Sequence, residues 1–275
     1  MTTILEAVIM GCGSSGGVPR ADGDWGACDP TDPRNARSRC SLMLRRLSGE
    51  GPERQTTAIV DAAPEFRLQT IAAGAKRLDA MLLTHDHADQ CHGLDDIRAF
   101  ALIQGGKIDC WMDGATAASL QRRFGYLFEG RGLYPAIAKA RPIPPHGMIW
   151  AVEGPSGPIP VTSFAQEHGG ITSIGYRFGS IAYSSDVVDL DERAFAALEG
   201  VDVWIVDALR DRPHPTHAHV EKTLSWIERV RPTRAILTNM HIDLDYAELS
   251  ARLPERVTPA FDGLRFKVKL NETMT

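Results

Sequence analysis

One segment constrains this chain more than any other: Thr84-His85-Asp86-His87-Ala88-Asp89-Gln90-Cys91-His92-Gly93. It follows the apolar run Leu78 to Leu83, which predicts a buried strand. It precedes Leu94 to Ala101, which predicts a helix with Gly93 just before it. Imidazoles and a carboxylate converging where a strand gives way to a helix are ligands for a borderline or hard divalent metal such as zinc or manganese. The competing reading is a polar loop that happens to be rich in histidine.

A metal needs more ligands than one loop provides. Three later positions repeat the same context, a ligand-type residue just after an apolar strand. They are His168, Asp186 and the segment Thr238-Asn239-Met240-His241. Loops at strand ends are held in place by the sheet and commonly carry chemistry. Taken singly, His168 could sit in a surface loop and Asp186 could cap a turn. Taken in order after the first segment, they form a pattern.

The chain has 275 residues, 43% of them hydrophobic and 24% charged, values expected of a soluble globular protein. No apolar run approaches a membrane span. The N-terminus carries Glu6 within its short apolar stretch and no basic leader, so no secretion signal is expected. The net charge of −5 argues against a long RNA or DNA held on a basic face. Five scattered cysteines without a CxxC pair fit reduced thiols in a cytoplasmic protein. Cys91, inside the histidine cluster, reads as a small buried side chain.

The expected strands are Ile4 to Met10, Ser41 to Leu47, Thr57 to Asp61, Ile108 to Met112, Ile159 to Phe164, Ser173 to Phe178, Ile181 to Ser184, Val201 to Val206 and Ala235 to Thr238. A polar turn is expected around Gly49-Glu50-Gly51-Pro52. Helices are expected over Glu65 to Ala73, Ala115 to Phe124, Glu192 to Leu198 and Val220 to Val230, and residues 130 to 147 as a loop or lid. Hairpin runs of strands interleaved with helices predict an α/β protein. Its architecture would be an αββα sandwich of two mixed sheets flanked by helices. No linker is visible, so residues 1–275 read as a single domain.

On these residues the chain resembles the metallo-β-lactamase superfamily of αββα hydrolases, whose signature is T-H-x-H-x-D-H followed by a lone His, a bridging Asp and a final His. A less specific first element matches at Asp61, ending Ile59-Val60-Asp61. Within the superfamily it most resembles the phosphodiesterase branch, which includes phosphoribosyl cyclic phosphodiesterase and, more distantly, RNase Z. That closer likeness rests on the glycine-rich stretch Gly11 to Pro19, on Arg39-Cys40-Ser41, and on His217 between the Asp186 and His241 segments.

The resemblance implies that His85, His87 and His168 hold one metal, that Asp186 bridges to a second, and that Asp89 ligates the second. Two cations roughly 3.5–4 Å apart would generate a hydroxide nucleophile and clamp a phosphate. Asp61 would orient ligands or loop backbone. His217 would be a general acid, since a leaving alkoxide needs a proton and imidazole titrates near neutrality. Asp89 and His217 are thus the expected catalytic residues. Ser14 and Ser15, with His217, are the expected substrate contacts: the Gly11 to Gly17 loop either cradles phosphate with backbone N–H groups or is only a tight turn, the reading slightly favoured. Arg20, Arg39 and Arg210 are unranked phosphate partners. His214 and His219 read as solvated loop residues, and Thr216 as a cap for the following helix.

The chain departs from the signature twice. The histidine expected directly after the aspartate is Gln90, and the expected last histidine is Asn239. Both losses fall on the second metal and shift preference toward manganese or magnesium. Either His241 rescues part of that site, or one metal is bound and His92 and His241 are supporting or substrate groups, alongside Gln90 and Asn239. One or two divalent metals (Mn²⁺ or Zn²⁺) per chain are therefore expected. The branch's structural zinc is not, because the early loop has only Cys28.

The resulting expectation is a metal-dependent phosphodiesterase acting on a small (cyclic) phosphate ester or nucleotide. The alternatives are an acyl or thioester hydrolase of the same fold and a catalytically degenerate nucleotide- or metal-binding protein. RNase Z activity is disfavoured, since no basic arm is visible. The expected partner is a small phosphorylated substrate, not long nucleic acid or membrane. A homodimer rests on the family likeness alone.

Overall fold

A computed structural model describes residues 3–49 and 51–270. The turn expected at Gly49 to Pro52 includes Glu50, which lies outside the described residues. The strands, in chain order, are β1 (Ile4–Gly11), β2 (Ser41–Leu47), β3 (Gln55–Val60), β4 (Ala80–Leu82), β5 (Ile108–Met112), β6 (Ala138–Pro142), β7 (Ile149–Val152), β8 (Ile159–Glu167), β9 (Thr172–Phe178), β10 (Ile181–Ser184), β11 (Val203–Asp207), β12 (Arg234–Thr238), β13 (Val257–Pro259) and β14 (Arg265–Lys269). The helices are α1 (Phe66–Ala73), α2 (Ala88–Cys91), α3 (Arg98–Gln104), α4 (Gly114–Glu129), α5 (Glu192–Leu198), α6 (Val220–Val230) and α7 (Tyr246–Arg252).

Two mixed sheets of seven strands result, ordered β14-β1-β2-β3-β4-β5-β6 and β13-β12-β11-β10-β9-β8-β7. Alternation along each strand decides which layer a residue joins. In β1, Leu5, Ala7 and Ile9 join the core between the sheets. Val8 and Met10 point the other way and pack with Phe66 of α1, Phe100 of α3 and Leu120 and Leu127 of α4. The second sheet's outer face is covered by Ala194 and Leu198 of α5 and Trp226 and Ile227 of α6. The αββα expectation therefore describes the fold.

Each sheet changes from antiparallel to parallel pairing once, at β3 in the first and at β10 in the second. In open α/β sheets ligands bind beyond the carboxyl ends of strands, at the point where the strand order reverses; here the change of pairing marks a comparable point in each sheet. Asp61 follows β3 and Asp186 follows β10. Both take the left-handed backbone conformation, φ 61° and 54°. Asp and Asn tolerate that conformation better than other residues with a Cβ, and it turns the chain sharply out of the strand. This is why the strand expected to end at Asp61 ends at Val60.

Four local expectations need correction. The helix expected over Leu94 to Ala101 begins as a 3-10 turn, Leu94–Ile97, and continues as α3. The helix expected to end at Phe124 runs on to Glu129, with Phe124 off helical geometry (φ −128°). Residues 130 to 147 are not wholly loop: β6 pairs in parallel with β5, buried at Ala138 but charged at Lys139 and Arg141. β7, α7, β13 and β14 were not expected at all; β14 (Arg-Phe-Lys-Val-Lys) is a charged edge strand, a composition that blunts edge pairing and hides the strand signal.

Candidate metal centre

The histidine segment is fastened from several directions. The Ala62 N–H donates to the Gln90 carbonyl (2.8 Å) and the Gly93 N–H to the Ala62 carbonyl (2.9 Å). A Cβ on Gly93 would lie 2.0 Å from the Ala63 carbonyl oxygen, so only glycine allows this approach. From α4, the Ser119 hydroxyl and the Arg123 guanidinium bind Asp86. The loop is thus held between β3 and α4 before any ligand is considered.

Asp61 is fully buried and spends its carboxylate on Thr84. The Thr84 N–H donates to Oδ1 (2.8 Å) and the Thr84 hydroxyl to Oδ2 (2.9 Å). With its proton committed, Thr84 Oγ1 accepts from the His85 Nδ1–H (3.0 Å). That assigns the His85 tautomer and leaves a lone pair on Nε2, a buried atom with no hydrogen-bond partner. His168 is set the same way, its Nδ1–H donating to the Thr216 carbonyl (2.7 Å). His168 Nε2 then lies 3.4 Å from His87 Nδ1. The ligand atoms of His85, His87 and His168 all fall within 4.8 Å of one another. Burial pulls His85 down to about 4 and lowers His168, favouring the neutral imidazoles that bind metals. Convergent nitrogens, buried on His85 and His168 and exposed on His87, fit a divalent cation.

Asp186 closes the cluster, with Oδ1 3.9 Å from His168 Nε2 and 3.8 Å from His217 Nδ1. Burial alone would raise its carboxyl, but His85, His217 and His168 hold it below the ordinary range. The His217 Nδ1–H donates to Asp207 Oδ2 (2.9 Å). Burial would lower His217, but Asp207 first, then Asp186 and Asp89, outweigh it and raise the imidazole to about 9. Asp89 is pushed up to about 6 by burial and by the Asp186 charge.

Asn239, also left-handed at φ 59°, sends Nδ2 to the same Asp207 oxygen (3.1 Å). Gln90 Nε2 donates to Asp186 Oδ2 (2.6 Å).

Other expected residues fall elsewhere. His241 faces Asp243 (Nδ1 to Oδ2, 3.2 Å) and Arg20, and does not join the ligand cluster. Its rescue of a second site is therefore corrected: its ring is turned toward the early loop, which packs there through buried Arg37. His92 is exposed, beside Phe124 and Arg123. Thr216 is not a helix cap; His219 occupies the α6 N-cap, and Thr216 serves His168 through its carbonyl. In the glycine-rich loop, the N–H groups of Cys12, Gly13, Ser14, Gly17 and Val18 already donate to protein acceptors, including Asp262 and the Met240 carbonyl. That favours the tight-turn reading. Ser14 is buried and Ser15 lies at the exposed tip. Arg39 is paired with Glu65 (3.0 Å). All five cysteines are free and buried. Asp207 was missed, although it ends the apolar run Val203-Trp204-Ile205-Val206, the same signal that marked Asp186.

A family model described as "Beta-lactamase superfamily domain" matches residues 56–242. Among solved structures, "Crystal Structure of a New Diphosphatase from the PhnP Family" aligns with TM-score 0.84 and 29% identity, covering 98% of this chain and 99% of that one. Zn(2+)-bound PqqB from Methylobacterium extorquens aligns with TM-score 0.70 and 18% identity, over 95% of this chain and 99% of that one. A curated relative from Porphyromonas gingivalis (strain ATCC BAA-308 / W83), named octanoyltransferase, is 26% identical over 94% of this chain. The chain spans about half the length of that relative, 51%. Among the described residues no helix is long and apolar enough to cross a membrane.

Proposed function

The chain belongs to the beta-lactamase superfamily as a hydrolase of the metallo-β-lactamase fold, and from that premise we propose that it is a metal-dependent phosphodiesterase acting on a small phosphate ester, cyclic phosphate or nucleotide. One observation carries the reading: His217, its Nδ1–H held by buried Asp207 Oδ2 at 2.9 Å, stands beside the three-histidine cluster, its ring 4.8 Å from that of His168. His85, His87, His168 and Asp186 would hold the metal. When bound, a divalent metal supplies Lewis acidity to a phosphoryl oxygen and activates water. His217 donates its proton to the leaving oxygen, and Asp207 keeps the ring turned so that Nε2 is the donating atom. Arg20 and Arg210, without a carboxylate partner among the described residues, flank His241 and suit the remaining charge of a phosphate substrate. The 29%-identical diphosphatase supports phosphorus chemistry. Reduced, buried thiols fit a cytoplasmic setting as part of the same reading.

The second reading, an acyl or thioester hydrolase, is favoured by the name of the octanoyltransferase relative. That name describes a protein twice as long, and the thiolate leaving a thioester needs a proton from His217 less than an alkoxide does. Turnover of bis-p-nitrophenyl phosphate, compared with p-nitrophenyl octanoate and an octanoyl thioester in the presence of Mn²⁺ or Zn²⁺, separates the two. Phosphodiester cleavage abolished by a chelator is expected; acyl cleavage alone would sink the phosphodiesterase reading.

A further inference from the structure

We propose that this chain holds one metal ion, not two, because hydrogen bonds from Gln90, Ser185, Asn239 and His217 take up Asp186 Oδ2 and Asp207 Oδ2 at the second position. The inference rests on the reading that His85, His87 and His168 bind a metal, and it concerns what Asp186 can still offer.

A carboxylate oxygen has two lone pairs in the carboxylate plane. At Asp186 Oδ2 both are used: Gln90 Nε2 donates at 2.6 Å and the Ser185 hydroxyl at 2.8 Å. The amide cannot be turned over, because that would set Gln90 Oε1 against the carboxylate oxygen. Both donors are fully buried, so neither has water as an alternative partner. Oδ1 alone remains open, and it faces His168 and His217. Asp186 is thereby a ligand on one side and a hydrogen-bond acceptor on the other, and it does not bridge.

On the opposite wall one oxygen of Asp207 carries all the donors, while Oδ1 is buried without a partner. Asp207 Oδ2 collects the His217 Nδ1–H (2.9 Å), the Asn239 amide (3.1 Å) and the Val187 N–H (3.1 Å). The 3.0 Å separation between Asn239 Nδ2 and His217 Nδ1 follows from two donors converging on one oxygen. His217 and His168 with Asp186 form a second triad of ligand-type side chains within 4.8 Å. His217 Nδ1, the nitrogen 3.8 Å from Asp186, carries the proton given to Asp207, so only Nε2, the atom assigned to proton donation, could face a cation. What is left for a second ion is the Asp89 carboxylate, His217 Nε2 and Gln90 Oε1, a buried carbonyl oxygen without a partner. The two imidazoles that Gln90 and Asn239 replace are missing from this set, so it binds a second ion far more weakly than the three-histidine position binds the first.

The test is metal stoichiometry, measured without reference to turnover. The metal-stripped chain is titrated separately with Zn²⁺ and Mn²⁺, bound metal is counted after desalting, and the Mn²⁺ form is examined by electron paramagnetic resonance. About one ion per chain with either metal is expected, with the spectrum of an isolated Mn²⁺. The double variant Gln90→His, Asn239→His removes both amides and supplies two imidazoles; about two ions per chain and a coupled Mn²⁺ spectrum are expected from it. Two ions in the unaltered chain, or none, would overturn the proposal. So would a double variant that is folded by circular dichroism and still binds one. If the double variant does not fold, the unaltered chain still decides. One bound ion with no phosphodiester turnover would sink the functional reading and leave the one-metal centre standing.

Discussion

The two sides of Asp186 are built from similar residue types and do opposite things. Near Oδ1 lies His168, which with His85 and His87 brings ring nitrogens together, the other nitrogen being hydrogen-bonded on buried His85 and His168. On Oδ2 sit the donors of Gln90 and Ser185, and His217 and Asn239 share Asp207 Oδ2 in the same way. Burying polar groups is costly unless they are paired. The first group leaves its imidazole lone pairs for a cation to offset; the second meets most of that cost within the protein, with Gln90 Oε1 and Asp207 Oδ1 left without a partner. A ligand site is therefore marked less by which polar residues gather than by which of their atoms remain unspent.

The contrast is broken most severely by removing an imidazole. Outer partners of metal ligands are worth roughly 10- to 100-fold in affinity, so losing a ligand itself exceeds that. His85→Ala or His168→Ala is expected to abolish both bound metal, by elemental analysis, and turnover. Retention of either function would remove that histidine from the centre.

The proton-handling side should separate those two readouts. His217→Ala is expected to lower kcat by roughly 10²- to 10⁴-fold, the usual range for general acid–base groups, while metal content stays unchanged. Equal loss of both would make His217 a ligand.

Thr84→Val cuts the path from Asp61 to His85 without touching a metal-facing atom. Metal affinity should fall about 10- to 100-fold. The buried Asp61 oxygens lose a donor, costing roughly 1–3 kcal/mol of stability. Calorimetric titration and thermal melts check the two parts.

In metal-stripped protein, His217 is raised from 6.5 to about 9. Between those values the folded chain binds the proton that the unfolded chain has released. Stability from this group is therefore complete below pH 6.5 and is lost as pH rises through about 9. Melting temperature should fall over that window, and Asp207→Asn should flatten the fall; an unchanged slope would detach His217 from Asp207. The smallest effect is expected at the exposed rim. Arg20→Ala should raise KM by about 2- to 5-fold with kcat nearly constant, in keeping with the small worth of exposed charge pairs.

Much of the centre was legible because the first sheet supplies its share from one contiguous loop. His85, His87 and Asp89 alternate within five residues, and their pattern survives without any knowledge of the fold. The second sheet supplies one residue from each of several strand ends, and there context did the work: His168 and Asp186 were marked by the apolar runs before them. Asp207 had the same mark and was passed over, since a strand-terminal aspartate has many ordinary uses. His241 misled because nearness in sequence to Asn239 says nothing of direction. Asn239 turns the chain at φ 59°, and His241 leaves toward Arg20 and Asp243.

What the amino-acid order indicated by itself was most of the strands, the two-sheet architecture and the candidate imidazole ligands, because hydrophobic period and short-range spacing are local quantities. Which nitrogen of each histidine keeps its lone pair, and which oxygen of Asp186 is already spent, was decided only in three dimensions. Those states depend on Thr216 meeting His168 and on Gln90 meeting Asp186 across 48 and 96 residues of chain. A hydrogen bond between residues so far apart exists only when the sheets bring them together.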